Sequence, residues 1–325
     1  LILTSCSPWG NRDDAIVRRS LFLMDTLVEI TVYGPEKETN LAVDAAMKEM
    51  RRLEGIFNRH DNDSFAREFV NRAGEDPFPV PKEFLELLHE ASRLVKKSKG
   101  SFDPTIAAIL ELYAFSSKDP RVPDEDSLKS ALELCGWDKL HMDVSQGKAA
   151  LGQEGMVLDL GGIAKGYIVD AAIEELGSHS VTAALINAGG DLRCLGKKPG
   201  GKAFKIGVQN PRTRKEILAV LSIRDLAVAT SGDYERYFNA HGKRWHHLLD
   251  PKSGKPARKS QSATVVCSTT MAADALATAV FVLGAKKGLA LAKSLPTVEA
   301  AVVDSQGRFH ATRGFQVLLD GGVPR

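Results

Sequence analysis

The stretch Leu158-Asp159-Leu160-Gly161-Gly162-Ile163-Ala164-Lys165-Gly166-Tyr167 carries the first decision about this chain. It reads as a strand running into paired glycines and then into a helix. Such a turn lets backbone N–H and C=O groups approach a ligand closely, and the start of a helix favours anions. Lys165 adds a positive charge to the first turn. The stretch has no GxxxxGK[ST] pattern and no full GxGxxG, so neither a Walker A loop nor a dinucleotide fingerprint explains it. The plain alternative is a tight strand-to-helix turn with a surface lysine.

Three more segments further along the chain combine turn chemistry with polar groups. Ile186-Asn187-Ala188-Gly189-Gly190-Asp191 ends a buried strand in two glycines and an acid, for which a hairpin turn is the simplest reading. Trp245-His246-His247-Leu248-Leu249-Asp250-Pro251 runs into the turn Lys252-Ser253-Gly254. On a strand, His246 and His247 point to opposite faces, which argues against a two-histidine metal site and leaves one ring for a functional site. In Thr269 to Ala279 the threonines cap a nearly apolar helix. Asp274 and Thr278, spaced i, i+4, share a face of that helix. An Asp in such a helix is costly to bury unless it is paired or holds a cation. A carboxylate plus a hydroxyl suits Mg²⁺ or Ca²⁺ rather than zinc. A capping Asp beside a satisfied Thr is the alternative.

Around these segments the pattern is strand or hairpin over 20–33, helix over 40–57 and a polar break from Asn58 to Ser64. Pro81 opens a second helix, whose C-terminal cap Gly100 suits. A short helix follows over 105–115 and another over 127–134. The second half is richer in strands, near 155–160, 181–187, 203–209, 217–230, 235–249, 262–268, 298–304 and 308–313, with helices near 163–176 and 270–294. Strands and helices come in runs rather than in βαβ alternation, which points to the α+β class.

At 325 residues the chain has room for two domains or one large one, and for a core that needs no staples. Its net charge of +2 is too balanced for a general nucleic-acid binder. No run reaches the roughly 18 apolar residues that span a bilayer, which excludes a multi-pass membrane protein. None of Cys6, Cys135, Cys194 and Cys267 forms a CxxC pair. Cys194 and Cys267 lie in or beside apolar strands and read as small core residues. Leu3-Thr4-Ser5-Cys6 matches a bacterial lipobox, followed by a polar tether. The expectation is a lipid-anchored protein facing the periplasm or cell exterior. Arg193 to Lys215 forms a basic stretch, either a solvated loop and strand edge or a docking surface.

Together these segments resemble the ApbE family, flavin transferases that move FMN from FAD onto a protein threonine or serine. The matching blocks are Leu158 to Tyr167, Asn187 to Asp191, Ala229-Thr230-Ser231-Gly232-Asp233-Tyr234, His247 to Pro256 and Asp274 to Thr278. Ser101-Phe102-Asp103-Pro104-Thr105 is similar to the family's Phe-Asp-x-Thr block. The resemblance extends from about residue 20 to 319. It implies a two-lobed α+β fold over residues 20–325, after a tether over 1–19. Mixed or antiparallel sheets would be packed by helices, with the active site in the cleft between lobes.

The resemblance also implies roles. Met24, His60, Tyr113, Ala114, Phe115, Asp159 and Lys165 would grip FAD. Mg²⁺ would take Asp274 and Thr278, with backbone oxygen from Gly162 and Ala277, and His247 would be the general base. The chain has Met24-Asp25-Thr26 where the family has Met-Gly-Thr, and Tyr113-Ala114-Phe115 where it has Trp-Gly-Phe. The implied reaction transfers FMN from FAD to an acceptor flavoprotein, such as an Rnf- or Nqr-type subunit, and releases AMP. A Mg²⁺-dependent FAD pyrophosphatase would use the same residues. A non-catalytic flavin-binding lipoprotein would have no use for both His247 and Asp274.

Overall fold

The computed structural model describes residues 15–213 and 215–322. The lipobox-like Leu3 to Cys6 lies outside them. One sheet dominates, with strands β1 (Ile16–Leu23), β2 (Thr26–Tyr33), β3 (Ala183–Ala188), β4 (Asp191–Gly196), β5 (Ala227–Gly232), β6 (Ser260–Cys267), β7 (Glu299–Asp304) and β8 (Phe309–Ala311). Their spatial order follows the chain, and every neighbouring pair is antiparallel. The fold is therefore α+β.

The helices are α1 (Glu36–Phe57), α2 (Phe65–Asn71), α3 (Lys82–Ser98), α4 (Ala107–Tyr113), α5 (Glu125–Glu133), α6 (Ala164–Ser178), α7 (Thr270–Lys293) and α8 (Arg313–Leu318). Helices α1, α6 and α7 pack together on one face of the sheet, where Val28, Ile30, Met50, Ile173, Val265 and Phe281 bury their side chains. On the other face a hairpin, Phe204–Gln209 with Ile217–Ile223, covers Cys194, Val228 and Val266. A smaller apolar cluster of Ile109, Tyr113, Leu128 and Leu249 joins α4 and α5 to the 249–256 turn.

Helix α7 is the one described helix long and apolar enough to cross a membrane. It lies between the sheet and helices α3 and α6, which is why its N-terminal half, from Ala273 to Val282, is almost wholly apolar. Its N-terminus is fixed twice. Thr269 caps it by accepting from Ala272 N, and the Asp170 carboxylate of α6 accepts from Thr270 N at 2.8 Å and Met271 N at 2.9 Å. The approach is so close that a Cβ on Gly166 would sit 2.4 Å from the Thr270 carbonyl oxygen. Gly166 thus sets the spacing that brings Lys165 of α6 to Asp274 of α7.

Several elements differ from the sequence reading. Residues 155–160 form no strand: Met156, Leu158 and Leu160 are buried in alternation, but the extended segment lies beside no ladder, and Asp159 N donates to Pro104 O. The strands of this region are Leu140–Asp143 and Lys148–Leu151 instead. Lys99 takes the C-cap position of α3, left-handed at φ 54°, and Gly100, left-handed at φ 74°, completes the cap as expected by donating its N–H to Val95 O at 2.9 Å. Residues 217–230 divide into the second strand of the covering hairpin and β5, and 235–249 into a short ribbon, Tyr237–Ala240 with Lys243–His246, followed by the strand Leu249–Asp250. Residues 308–313 give β8 and the start of α8.

Candidate functional site

A cleft of about 900 Å³ opens where the turns at one end of the sheet meet the N-terminal turns of α6 and α7. Three hairpin or turn segments contribute to its walls. The β1–β2 turn contributes Met24 and Asp25, both left-handed at φ 54° and 56°, the pairing that a two-residue hairpin turn demands. Asp25 thus takes a conformation that costs glycine least. The β3–β4 turn uses Gly189 and Gly190 at φ 60° and 99° and places Asp191 in the cleft. The 159–163 turn brings Asp159, Gly161 and Gly162 to the start of α6.

At the floor, Lys165 Nζ lies 2.5 Å from Asp191 Oδ2 and 3.1 Å from Asp274 Oδ2. One ammonium therefore serves two carboxylates. Both acids are almost fully buried, Asp191 at 4 % and Asp274 at 6 % exposure. Burial, reinforced by the Asp191 charge, raises the Asp274 pKa well above the usual carboxylate range despite Lys165. Burial alone would lower the Lys165 pKa, but the two carboxylates outweigh it and keep the amine protonated. One helical turn beyond Asp274, Thr278 Oγ1 lies 3.2 Å from Ser231 Oγ. A Cβ placed on Gly162 would be 3.8 Å from that same hydroxyl, so the Gly162 backbone closes this corner.

His247 lines the cleft, while His246, the last residue of the ribbon, is 2 % exposed. The two rings therefore diverge as expected, although His247 lies just past the strand. His246 Nε2 is 2.9 Å from Ala257 O, and its ring packs edge-on against Phe281. His247 N and Nδ1 both reach the Arg236 carbonyl oxygen, at 3.1 and 3.2 Å. A carbonyl only accepts, so Nδ1 carries the proton and Nε2 is left with its lone pair. Burial, with the nearby Arg236 charge, pulls the His247 pKa down to about 3 and keeps the ring neutral.

Most of the residues singled out in the sequence converge on this cleft: Met24, Ala114, Phe115, Asp159, Gly162, Lys165, His247, Asp274 and Thr278. Three stand elsewhere. His60 lines a smaller pocket of about 80 Å³ beside the cleft, which Met24, Asp159 and Lys165 also line. Tyr113 is 1 % exposed; it stacks behind Phe115 with ring centroids 5.1 Å apart and donates to Gly254 O at 3.1 Å. It supports the cleft wall rather than forming it. Ala277 is buried inside α7, where a carbonyl is directed to the next turn of the helix. The cleft also contains Arg59, Glu111, Asp191, Ser231 and Arg236, which the sequence reading gave no individual role.

Among the described residues no three His, Cys, Asp or Glu side chains gather as a metal cage. Asp274, Thr278 and Gly162 all line the cleft, Asp274 and Thr278 one turn apart on α7 and Gly162 beside the Thr278 hydroxyl. A donor set this sparse fits Mg²⁺, which takes one or two carboxylates and completes its shell with water and substrate phosphates. An underneutralised carboxylate in the same corner favours a cation.

Residues 24–302 match the model of the ApbE family. The chain belongs to the ApbE family. Among its ApbE relatives, a Treponema pallidum protein named FAD:protein FMN transferase is 33% identical over 91% of this chain and 86% of its own length. A Haemophilus influenzae protein of the same name is 30% identical over 81% of this chain and 78% of its own. The crystal structure of the ApbE protein from Thermotoga maritima superposes with a TM-score of 0.88 at 31% identity, covering 94% of this chain and 100% of that one. The apo flavinyl transferase ApbE of Pseudomonas stutzeri gives 0.84 at 29% identity, over 96% and 99% of the two chains.

Proposed function

We propose that this chain is an FAD:protein FMN transferase that moves FMN from FAD to a Thr or Ser hydroxyl of an acceptor flavoprotein and releases AMP. The observation that carries the reading is His247, its Nδ1 held by the Arg236 carbonyl, in the same cleft as the Lys165–Asp191–Asp274 cluster. Lys165, Asp159 and the Gly161–Gly162 turn would face the diphosphate, while Ala114 and Phe115, backed by Tyr113, would flank the flavin. His247 Nε2 would take the proton from the acceptor hydroxyl as its oxygen attacks the flavin-side phosphorus. The bond from that phosphorus to the bridging oxygen breaks, and the electron pair leaves with AMP. Asp274, Thr278 and the Gly162 carbonyl would hold Mg²⁺, which when bound supplies charge neutralisation at the diphosphate.

The reaction is testable by incubating the protein with FAD, Mg²⁺ and a threonine-bearing flavoprotein subunit, then weighing the acceptor by mass spectrometry. An acceptor heavier by FMN, with AMP formed in equal amount, is the expected result. Free FMN and AMP with an unmodified acceptor would favour the pyrophosphatase reaction instead. We further propose that Cys6 carries lipid and anchors the enzyme to a bacterial membrane, facing the periplasm or cell exterior, on the strength of Leu3 to Cys6. Palmitate labelling that Cys6→Ala fails to abolish would contradict this.

A further inference from the structure

The main cleft and the smaller pocket beside it share a wall that contains three cations, Arg59, Lys165 and Arg236. Two of them are engaged. Lys165 holds Asp191 and Asp274, while Arg59 holds Glu111 at 2.8 Å and lies 3.7 Å from Asp159. Those two cations face four carboxylates, so neither brings an unpaired positive charge to a diphosphate. Arg236 differs: it is exposed, and its guanidinium has no carboxylate partner among the described residues. Its backbone carbonyl is the atom that holds His247 through both N–H and Nδ1–H. One residue thus fixes the base with its main chain and offers a free cation to the cleft with its side chain.

We propose that the Arg236 guanidinium binds the diphosphate of FAD and stabilises the charge that develops as AMP departs. The inference rests on the transferase reading above. When the acceptor oxygen bonds to the flavin-side phosphorus and the bridging P–O bond breaks, negative charge grows on the phosphate oxygens of the leaving AMP. The proton meanwhile passes to His247 Nε2. A planar guanidinium can meet two phosphate oxygens at once. Lys165 and Arg59 would have to be drawn from their carboxylates to do the same, whereas Arg236 gives up no ion pair. Its position beside His247 puts the charge donor and the base at one end of one ribbon.

The main-chain hold on His247 does not depend on the Arg236 side chain, so substitution isolates the guanidinium. The experiment compares wild type, Arg236→Gln and Arg236→Lys for AMP release from FAD with Mg²⁺ and a threonine-bearing acceptor, and for FAD affinity by flavin fluorescence. Arg236→Gln is expected to lower kcat by about 10² to 10³, the loss typical of one preorganised transition-state donor. FAD affinity should fall far less, and Arg236→Lys should recover part of the rate. A kcat for Arg236→Gln within about twofold of wild type, well under the 10² loss for such a donor, would overturn the proposal. So would a loss of rate matched by an equal loss of affinity, because the group would then act on bound FAD alone. A wild-type protein that releases no AMP would overturn the transferase reading itself.

Discussion

Two aspartates buried to nearly the same depth, Asp274 at 6 % and Asp304 at 7 % exposure, have opposite electrostatic fates. Burial would raise the pKa of both. At Asp304 that effect is outweighed by His310 Nε2 and Arg308 Nε, each at 2.8 Å, and by the backbone N–H groups of Gln306 and Arg308. Its carboxyl is held well below the ordinary range. At Asp274 the one cation is shared with Asp191, and the carboxyl is pushed up instead. Asp304 ties down the β7–β8 corner. Asp274 has capacity left for a ligand. What separates these two buried acids is the completeness of their partners, not their depth.

The largest effect expected outside the aspartates belongs to the histidine pair. His247→Ala should slow transfer by about 10² to 10⁴ with little change in FAD affinity, as loss of a general base would. His246→Ala should leave the rate near wild type and cost stability, since it removes the bond to Ala257 O and the contact with Phe281. Steady-state transfer rates beside thermal midpoints check both, and the reverse pattern would assign the base to the wrong ring.

Asp304→Asn should destabilise the fold by about 1–3 kcal/mol, because the buried carboxylate gives up its charge-assisted hydrogen bonds to His310 and Arg308, and should leave kcat unchanged. Asp274→Asn in Mg²⁺-free buffer should leave stability unchanged or raise it, because it removes charge that is only partly neutralised. Urea denaturation of the two variants distinguishes them, and equal losses would erase the contrast.

The smallest effect is in pH. The unfolded histidines protonate near 6.5, whereas burial holds His246 to about 4 and His247 to about 3. Their neutral forms therefore contribute stability that is fully present above pH 6.5 and is lost as pH falls toward the folded values. Urea midpoints should decline from pH 7 to 4, and His246→Gln should flatten part of that decline. A profile unchanged by the substitution would contradict the assignment.

Much of this was legible in the sequence because the decisive segments are local. Periodic apolar residues mark α1 and α3, and Asp274 with Thr278 stands out against an apolar helix. The segment 155–160 misled because period-two burial reports an extended chain, not a paired one, and nothing local reveals the missing ladder. Tyr113 reads as a flavin contact beside Ala114 and Phe115, yet the left-handed turn at Ala114, φ 51°, coincides with the change from a buried ring to one at the cleft wall. Asp191 needed the β3–β4 hairpin to bring it to Lys165. Arg59 and Arg236 lie in loops without periodicity, and only the assembled cleft shows which of them is already paired.

The most direct test sets the two aspartates against each other in the transfer reaction itself. Wild type, Asp274→Ala and Asp304→Ala would each be incubated with FAD and a threonine-bearing acceptor, with Mg²⁺ or with EDTA, and the intact acceptor weighed. FMN addition is expected from wild type and from folded Asp304→Ala with Mg²⁺, and from neither in EDTA. Asp274→Ala should give none under either condition while remaining folded. Near wild-type FMN addition by Asp274→Ala, or by wild type in EDTA, would contradict a cation site at Asp274.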